Sequence, residues 1–477
     1  MGADEENLNT ALVPPEDYDR AFTKGEEQPK GCRDVWAALL FYAQAIAVGV
    51  FCFWLGVPAV TKQIDSSDQQ GNSNGGYNVK YSGIMYLVMS AAGCAFVLSA
   101  LSLGIMSCCP KILIQFSLLI SLLLSLAVCV YAFMYNSILG GVFGAVIFLL
   151  SLCYACAVWR RIPFAAANLK TALTATRQNF VVYFVAYAFV FITFAYTFMW
   201  MTAVVGIFDA NGVIDDTTGD VVEDPMVWLY FFLLLLALFW SEQVFQNTVH
   251  AIVAGVVSTW WFDPEQGSGC CSGNVIGSTV RATTSSFGSI CFGSLLVAII
   301  QTLRALVEAA RADDDVEGCA AFMLCLVDCC LRCLEDILEY FNKFAYIYVG
   351  SKNVMTLFKA KGWTVIVNDD LISNVLSLFN LVVGCGVGLF GLLMKDANPE
   401  WFTTFTDDYS AQMAAFGFPF LIGLVVSAVT FSVVDSSVNT VIVCFAEGPA
   451  EFDQNHPDLS EDMREGWRKV YPEECGF

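Results

Sequence analysis

The stretch "FWSEQVFQNTVHAIVAGVVSTWW", Phe239 to Trp261, sets Trp240, Glu242, Gln243, Gln246, Asn247 and His250 into a run that is otherwise apolar. On a helix Gln243, Asn247 and His250 share one face, at spacings of four and three. Amides, a carboxyl and an imidazole in that pattern can hold a polar solute along a pathway. They can equally hydrogen-bond to neighbouring helices and hold a bundle together, and both readings stand at this stage. Arg304 and Glu308 stand four apart in "FGSLLVAIIQTLRALVEAAR", the spacing of an intrahelical ion pair, with an outer gate as the sharper alternative. Asp435 has no obvious local partner, and Asn439 lies one turn further along the same face. Trp200, Trp240, Tyr196 and Tyr346 are the aromatics placed within or beside polar segments. Such rings can cage a quaternary ammonium, which has no proton to donate to a hydrogen bond. Most other Trp and Tyr near helix ends read as membrane-interface anchors.

Other chemistries find less material. Cys325, Cys329, Cys330 and Cys333 in "CLVDCCLRC" do not make the paired C-x2-C of a zinc ribbon, and the chain has 2 histidines, so a thiol-rich membrane helix or acylation sites explain them better. "GSGCCSGNVIGS", from Gly267 to Ser278, has neither the Lys nor the preceding strand of a phosphate-binding loop and reads as a flexible connector. No Ser-His-Asp, Cys-His or paired-metal constellation is visible, so an enzyme is the weakest class and neither cofactor nor metal is expected.

The elements that must position these groups are membrane helices. Of 477 residues, 57% are hydrophobic and only 14% charged, with a mean hydropathy of +0.62; soluble domains carry roughly 25% charged residues. A net charge of -22 disfavours nucleic acid and anionic surfaces and favours cationic ligands. The acidic start lacks the basic and apolar regions of a cleaved signal peptide. Apolar runs long enough to cross a bilayer, about 20 residues each, extend over Val35–Val60, Gly83–Met106, Ile112–Tyr135, Ser137–Trp159, Phe180–Ile207, Met226–Trp261, Phe287–Ala310, Leu371–Met394 and Gln412–Phe445. Met226–Trp261 is too long for one straight crossing and reads as tilted or broken. The segment from Ala320 to Gly350 decides the count. Its "LEDILEY" places Glu335, Asp336 and Glu339 on one helical face and Ile337, Leu338 and Phe341 on the other, which suits an amphipathic span at the mouth of a pathway.

Counted as a span, that segment gives ten helices. With a cytoplasmic start, 17 of the 23 Lys and Arg then lie inside, as the positive-inside rule asks. The expected architecture is therefore an all-α polytopic membrane protein of about ten transmembrane helices with both termini cytoplasmic. An acidic tail over 1–34 precedes a transporter domain over 35–445, and a second acidic tail over 446–477, mobile or lying on the surface, follows it. "RRIPFAAANLKTALTATRQN", Arg160 to Asn179, reads as a cytoplasmic interfacial helix. Gly140–Gly144 and Gly384–Gly388 each form a Gly-x-x-x-Gly that permits close helix contact.

The same polar segments carry a resemblance. "FWSEQVFQNTVHAIVAGVVSTWWF" is similar to the Trp, Gln-Val, Asn, His, Ala-Gly and Trp pattern of the choline transporter-like (solute carrier 44) family in its plant and fungal branch. "SFGSICFGSLLVAIIQTLRALVE", "CLRCLEDILEYFNKFAYIYVGSKN", "VVGCGVG" and "CFAEGPAEF" also resemble it, from about Trp228 to Phe452. The resemblance implies ten helices, cytoplasmic termini and uptake of choline or, in some members, ethanolamine, most simply at the plasma membrane. Two departures stand out. The first outside loop, Thr61 to Ser82, is short, and Val438-Asn439-Thr440 replaces the Val-Asp-Thr of animal members, with an acid at Asp435 instead. The expectation is a facilitative transporter of choline or a related amine, moving a small cationic substrate among membrane lipids. Its candidate binding residues are Trp240, Glu242, Gln243, Asn247, Tyr346, Asn342, Trp200 and Tyr196, with Arg304 and Glu308 as gate or ion pair. The rivals are a structural or lipid-organising membrane protein, whose polar stripe would pack with no cavity, and a channel, which needs a continuous wet path.

Overall fold

A computed structural model of the chain describes residues 31–62, 81–134, 138–211, 225–267, 273–311, 319–347, 371–402 and 408–470. These residues build helices and, among them, no strand. Ten of the helices are long: α1 (Val35–Phe51, continued through a π-turn at Cys52–Gly56 to Lys62), α2 (Tyr81–Cys108), α3 (Pro110–Met134), α4 (Ile138–Val158), α6 (Val181–Asn211), α7 (Pro225–Phe262), α9 (Phe287–Arg311), α10 (Cys319–Ile347), α11 (Leu371–Ala397) and α12 (Asp408–Glu447). Shorter ones are α5 (Ile162–Gln178), α8 (Gly273–Thr283), α13 (Pro449–Asn455) and α14 (Pro457–Val470).

Eight of the long helices are apolar enough to cross a membrane by length and composition. The other two long helices, α7 and α10, carry the polar residues singled out in the sequence and are not among these eight. Their outer faces show why they need a bilayer. Phe184, Phe191 and Phe198, one heptad apart on α6, are 66%, 73% and 75% exposed, an aromatic stripe that water would penalise and lipid tails accept. The chain is an integral membrane protein.

One end of the bundle is capped. α5 lies between the end of α4 and the start of α6, α8 runs back along α7, and α13 with α14 folds against α5 and α7. This differs from two expectations. α5 is not an interfacial helix, because Phe164, Leu169, Ala172 and Ala175 on several sides of it are buried between the bundle and α14. The described part of the second tail, up to Val470, is folded down: Phe452 stacks on Trp261 at 3.7 Å between ring centroids, Met463 is fully buried, and Lys170 pairs with Asp462. The Gly-rich connector likewise becomes helical from Gly273 onward, its residues 268–272 lying outside the described ones.

α7 is not broken. At 1.5 Å per residue its 38 residues run about 57 Å, against about 30 Å of hydrocarbon. The excess length carries Trp260 and Trp261 into the cap, where both are fully buried. Their indole N–H groups donate to Gln178 Oε1 at 2.6 Å and to the Gly448 carbonyl at 2.9 Å. The sequence signal for a break was length alone, and a helical layer beneath the bundle removes the need for one.

Small residues set the closest packing. Pro419 sits inside α12 and has no N–H, which frees the Ala415 carbonyl four residues earlier. That carbonyl points at Gly391 of α11, where a Cβ would lie 2.0 Å from the oxygen and 2.5 Å from the Pro419 ring. Within the predicted Gly-x-x-x-Gly pairs, Gly384 and Gly388 face Leu424 and Phe416 of α12, and Gly144 approaches the Cys129 backbone of α3. Gly140 has no described side-chain environment.

Two measurements follow from this fold. Gly391→Ala forces a methyl into backbone and is expected to destabilise by about 3 kcal/mol, seen as a lowered unfolding temperature in detergent. Gly93→Ala, with nothing within 4 Å, is the unchanged control. In the cap, the His456 ring stacks on Trp260 at 4.0 Å and its Nε2 lies 3.2 Å from the Trp260 carbonyl. Burial lowers the ring's pKa from its ordinary 6.5, and the carbonyl offsets only part of that. The half-buried neutral ring therefore stabilises docking fully above pH 6.5, and this contribution is lost as pH falls from there through the lower folded value. Hydrogen exchange in α13 and α14, corrected for the intrinsic rate, should speed up below pH 6.5 in the unmodified protein and much less in His456→Gln.

Candidate functional site

A cavity of about 840 Å³ lies between α6, α7, α9, α10 and α12. α7 contributes Glu242, Gln243, Phe245, Gln246, Asn247, Val249 and His250, so the stripe read from the sequence is the wall of a cavity. α10 adds Glu339, Asn342 and Lys343, and α12 adds Ser432, Asp435 and Ser436. α6 supplies Phe189 and Thr193, and α9 supplies Val297. Gln243, Asn247 and His250 thus border the cavity while His250 and Asn247 also hydrogen-bond to neighbouring helices.

Hydrogen bonds aim these groups. Asn247 donates from Nδ2 to Ser294 Oγ of α9 at 3.0 Å, and Asn342 donates to the Gly293 carbonyl at 2.9 Å. Both amides thus keep their oxygens free of these contacts. His250 is buried, with Nε2 3.0 Å from the Lys343 carbonyl and Nδ1 2.6 Å from Ser436 Oγ. A carbonyl only accepts, so in the neutral ring Nε2 carries the proton and the Ser436 hydroxyl donates to Nδ1.

Charge is distributed unevenly over the lining. Asp435 accepts from Lys343 Nζ at 3.0 Å, from Ser373 Oγ of α11 at 2.7 Å and from Asn439 Nδ2 at 3.2 Å. Among the described residues Glu339 accepts from the Gln301 amide at 3.5 Å and from Gln243, and no cation lies at ion-pair distance from it. Glu242, half-buried, has no hydrogen-bond or ion-pair partner among the described residues. Among the described residues the cavity therefore presents two carboxylates with no cation at ion-pair distance beside one pair that is already neutralised.

Further along α10, Arg304 of α9 reaches Asp328 at 3.2 Å, Glu335 more closely, and Glu308 of its own helix at 3.6 Å. The intrahelical pair is present, yet its carboxylate is 58% exposed, whereas those of Asp328 and Glu335 are 14% and 11% exposed. The dominant partners are on α10, and spacing within one helix could not reveal them.

The aromatic candidates lie elsewhere. Trp240 donates to the Cys291 carbonyl at 2.9 Å and packs against Phe41, buried in the seam between α1, α7 and α9. Trp200 donates to the Leu234 carbonyl at 2.8 Å, and Tyr196 donates to Gln44 Oε1 and the Ala237 carbonyl. None of the three lines the cavity. Its rings are Phe189 and Phe245, the latter edge-on to Tyr196. Tyr346 belongs to the last turn of α10, and its side chain lies outside the described residues. The sequence reading also passed over Lys343 as a partner of Asp435. The signal was an unpaired base in one span and an unpaired acid in another, each too costly to leave alone.

The arrangement defines a class: a polytopic helical membrane protein with an acidic, amide-lined cavity between its central helices. The family model for the plasma-membrane choline transporter matches residues 142–450, and the chain belongs to that family. It is 27% identical to Protein PNS1 of Mycosarcoma maydis over 448 residues, covering 91% of this chain and 82% of that one. Its identity to Protein PNS1 of Saccharomyces cerevisiae is 26% over 490 residues, 96% and 87% of the two chains. A CTL-like protein of Dictyostelium discoideum is 25% identical over 454 residues, 92% and 76%. The protein is a membrane transporter of the choline transporter-like type.

Arg304→Gln should leave Asp328 and Glu335 unneutralised and cost about 3 kcal/mol. Thermal unfolding in detergent would read this, with Arg304→Lys recovering only part, since a single ammonium cannot reproduce a two-pronged guanidinium contact.

Proposed function

We propose that the protein carries choline or a closely related amine through this cavity, by facilitated uptake at the plasma membrane. The observation that carries the reading is the pair of carboxylates, Glu242 and Glu339, facing a cavity of about 840 Å³ with no cation at ion-pair distance among the described residues. A small organic cation supplies the missing charge, and pockets of this size suit small ligands. Gln243, Asn247 and Asn342 offer amide oxygens to its hydroxyl or ammonium, and Phe189 and Phe245 offer ring faces to its methyl groups. Trp240, Trp200 and Tyr196 support the wall from behind.

The capped end faces the cytoplasm in this reading. Lys170, Arg177 and Arg281 lie in or beside the cap, as does the start of α1, where Ser289 Oγ donates to Asp34 Oδ2 at 2.7 Å. Basic residues accumulate on the cytoplasmic side. An inside-negative potential then draws a monovalent cation inward by about 2.3 kcal/mol per 100 mV, so no coupling ion is needed.

The test is uptake of radiolabelled choline into proteoliposomes. Uptake should saturate, accelerate under an inside-negative potassium diffusion potential, and fall at least about tenfold in the Glu242→Gln, Glu339→Gln double variant. Absence of saturable uptake by the unmodified protein sinks choline as substrate, and indifference to the potential sinks uniport.

A further inference from the structure

Among the described residues that line the cavity, Lys343 is the single cation, and its ammonium already neutralises Asp435 at 3.0 Å. We infer that Lys343 is a tethered substitute for the transported cation: it occupies Asp435 in the empty carrier and is displaced when an organic cation enters. This rests on the proposed substrate class and adds a third carboxylate, with its own occupant, to the binding site.

The surroundings suit an exchange of partners. Asp435 is fixed independently of Lys343, by Ser373 Oγ at 2.7 Å and Asn439 Nδ2 at 3.2 Å, so the carboxylate stays in place when the ammonium leaves. The Lys343 backbone is also fixed, its carbonyl held by His250 Nε2 at 3.0 Å, so only the flexible side chain need move. An alternative partner waits one turn away. Glu339 is four residues earlier on α10, lines the same cavity, and has no cation within ion-pair distance among the described residues. Glu and Lys at that spacing and in that order pair readily on a helix. In the empty cavity Lys343 spares Asp435 the cost of an unpaired charge. With substrate held by Asp435 and Glu242, Glu339 gives up its share of the substrate's charge and receives the ammonium instead.

A tethered competitor lowers apparent affinity and leaves a specific double-mutant signature. Lys343→Gln should tighten binding of choline and of tetramethylammonium at least about fivefold, measured by equilibrium binding to the purified full-length protein in detergent. Uptake in proteoliposomes should nevertheless slow, because substrate release loses the group that re-neutralises Asp435. Asp435→Asn should weaken binding. In the Asp435→Asn background Lys343→Gln should no longer tighten it, since the competitor then has no shared partner. Tightening of the same size in both backgrounds would mean mere through-space repulsion and would overturn the inference, as would unchanged or weaker binding in Lys343→Gln protein that unfolds at the unmodified temperature. If the unmodified protein binds choline and these patterns fail, only the inference falls. If it binds neither cation, the substrate reading falls and the inference with it.

Discussion

A half-buried ammonium is costly to leave without a counter-charge, and that requirement fixes the arrangement around Lys343 and Asp435. The pair ties α10 to α12, helices that otherwise touch little, since α10 packs chiefly on α9 and α7. Ser373 brings α11 to the same carboxylate, and His250 brings α7 to the Lys343 backbone. Nearer the middle of α10 the same rule acts through Arg304, whose guanidinium joins α9 to Asp328 and Glu335. One ion pair thus ties α10 to α12 and another cluster ties it to α9, and the cavity lies among these helices and α7. Apolar packing alone would tend to close such a space, because dispersion rewards contact and no water is trapped by design in an oily wall.

The cap gives this arrangement a rigid base. α7 and α12 overrun the bilayer thickness, and their ends are locked by Trp260, Trp261 and Phe452, all fully buried. α5 is covered on one side by the bundle and on the other by α14 through Met463 and the Lys170–Asp462 pair. α10 has no comparable anchorage, since Phe322, Leu326, Leu334, Ile337 and Phe341 along it are exposed. α10 is therefore held largely by ion pairs and hydrogen bonds, against a framework held by stacked aromatic rings.

Much of this was legible in the sequence, for reasons that also mark where legibility stops. Nine helices could be counted because a bilayer demands long apolar runs, the tenth came from the bias of Lys and Arg to one side, and the Gln243, Asn247, His250 face could be read because helical periodicity fixes which residues of one helix point together. What periodicity cannot give is what stands opposite. Trp240 continues the same stripe one turn further along, yet there Phe41 of α1 and Cys291 of α9 cover it, so it is core instead of lining. Arg304 was matched to Glu308 because both lie on one helix, and its stronger partners come from a helix whose register no local rule predicts. The folded tail was hidden for a different reason: α14 is strongly polar overall and buries only a narrow face, Ser460 and Met463, against α5.

The extent of the family match sharpens which parts of the bundle bear on transport. Residues 142–450 run from within α4 to the start of α13 and contain every residue that lines the cavity. α1 to α3 lie outside that match, and their contribution to the site is indirect. Gln44 of α1 donates to Ser241 at 2.9 Å and accepts from Tyr196, next to Glu242, while Phe41 seals the seam behind Trp240. α1 thus supplies no lining residue but buttresses the helix bearing Glu242 and Gln243 through one amide and one ring. The polar wall has less freedom: losing Lys343 or Ser373 takes a partner from Asp435, and losing His250 leaves the Lys343 carbonyl without its donor.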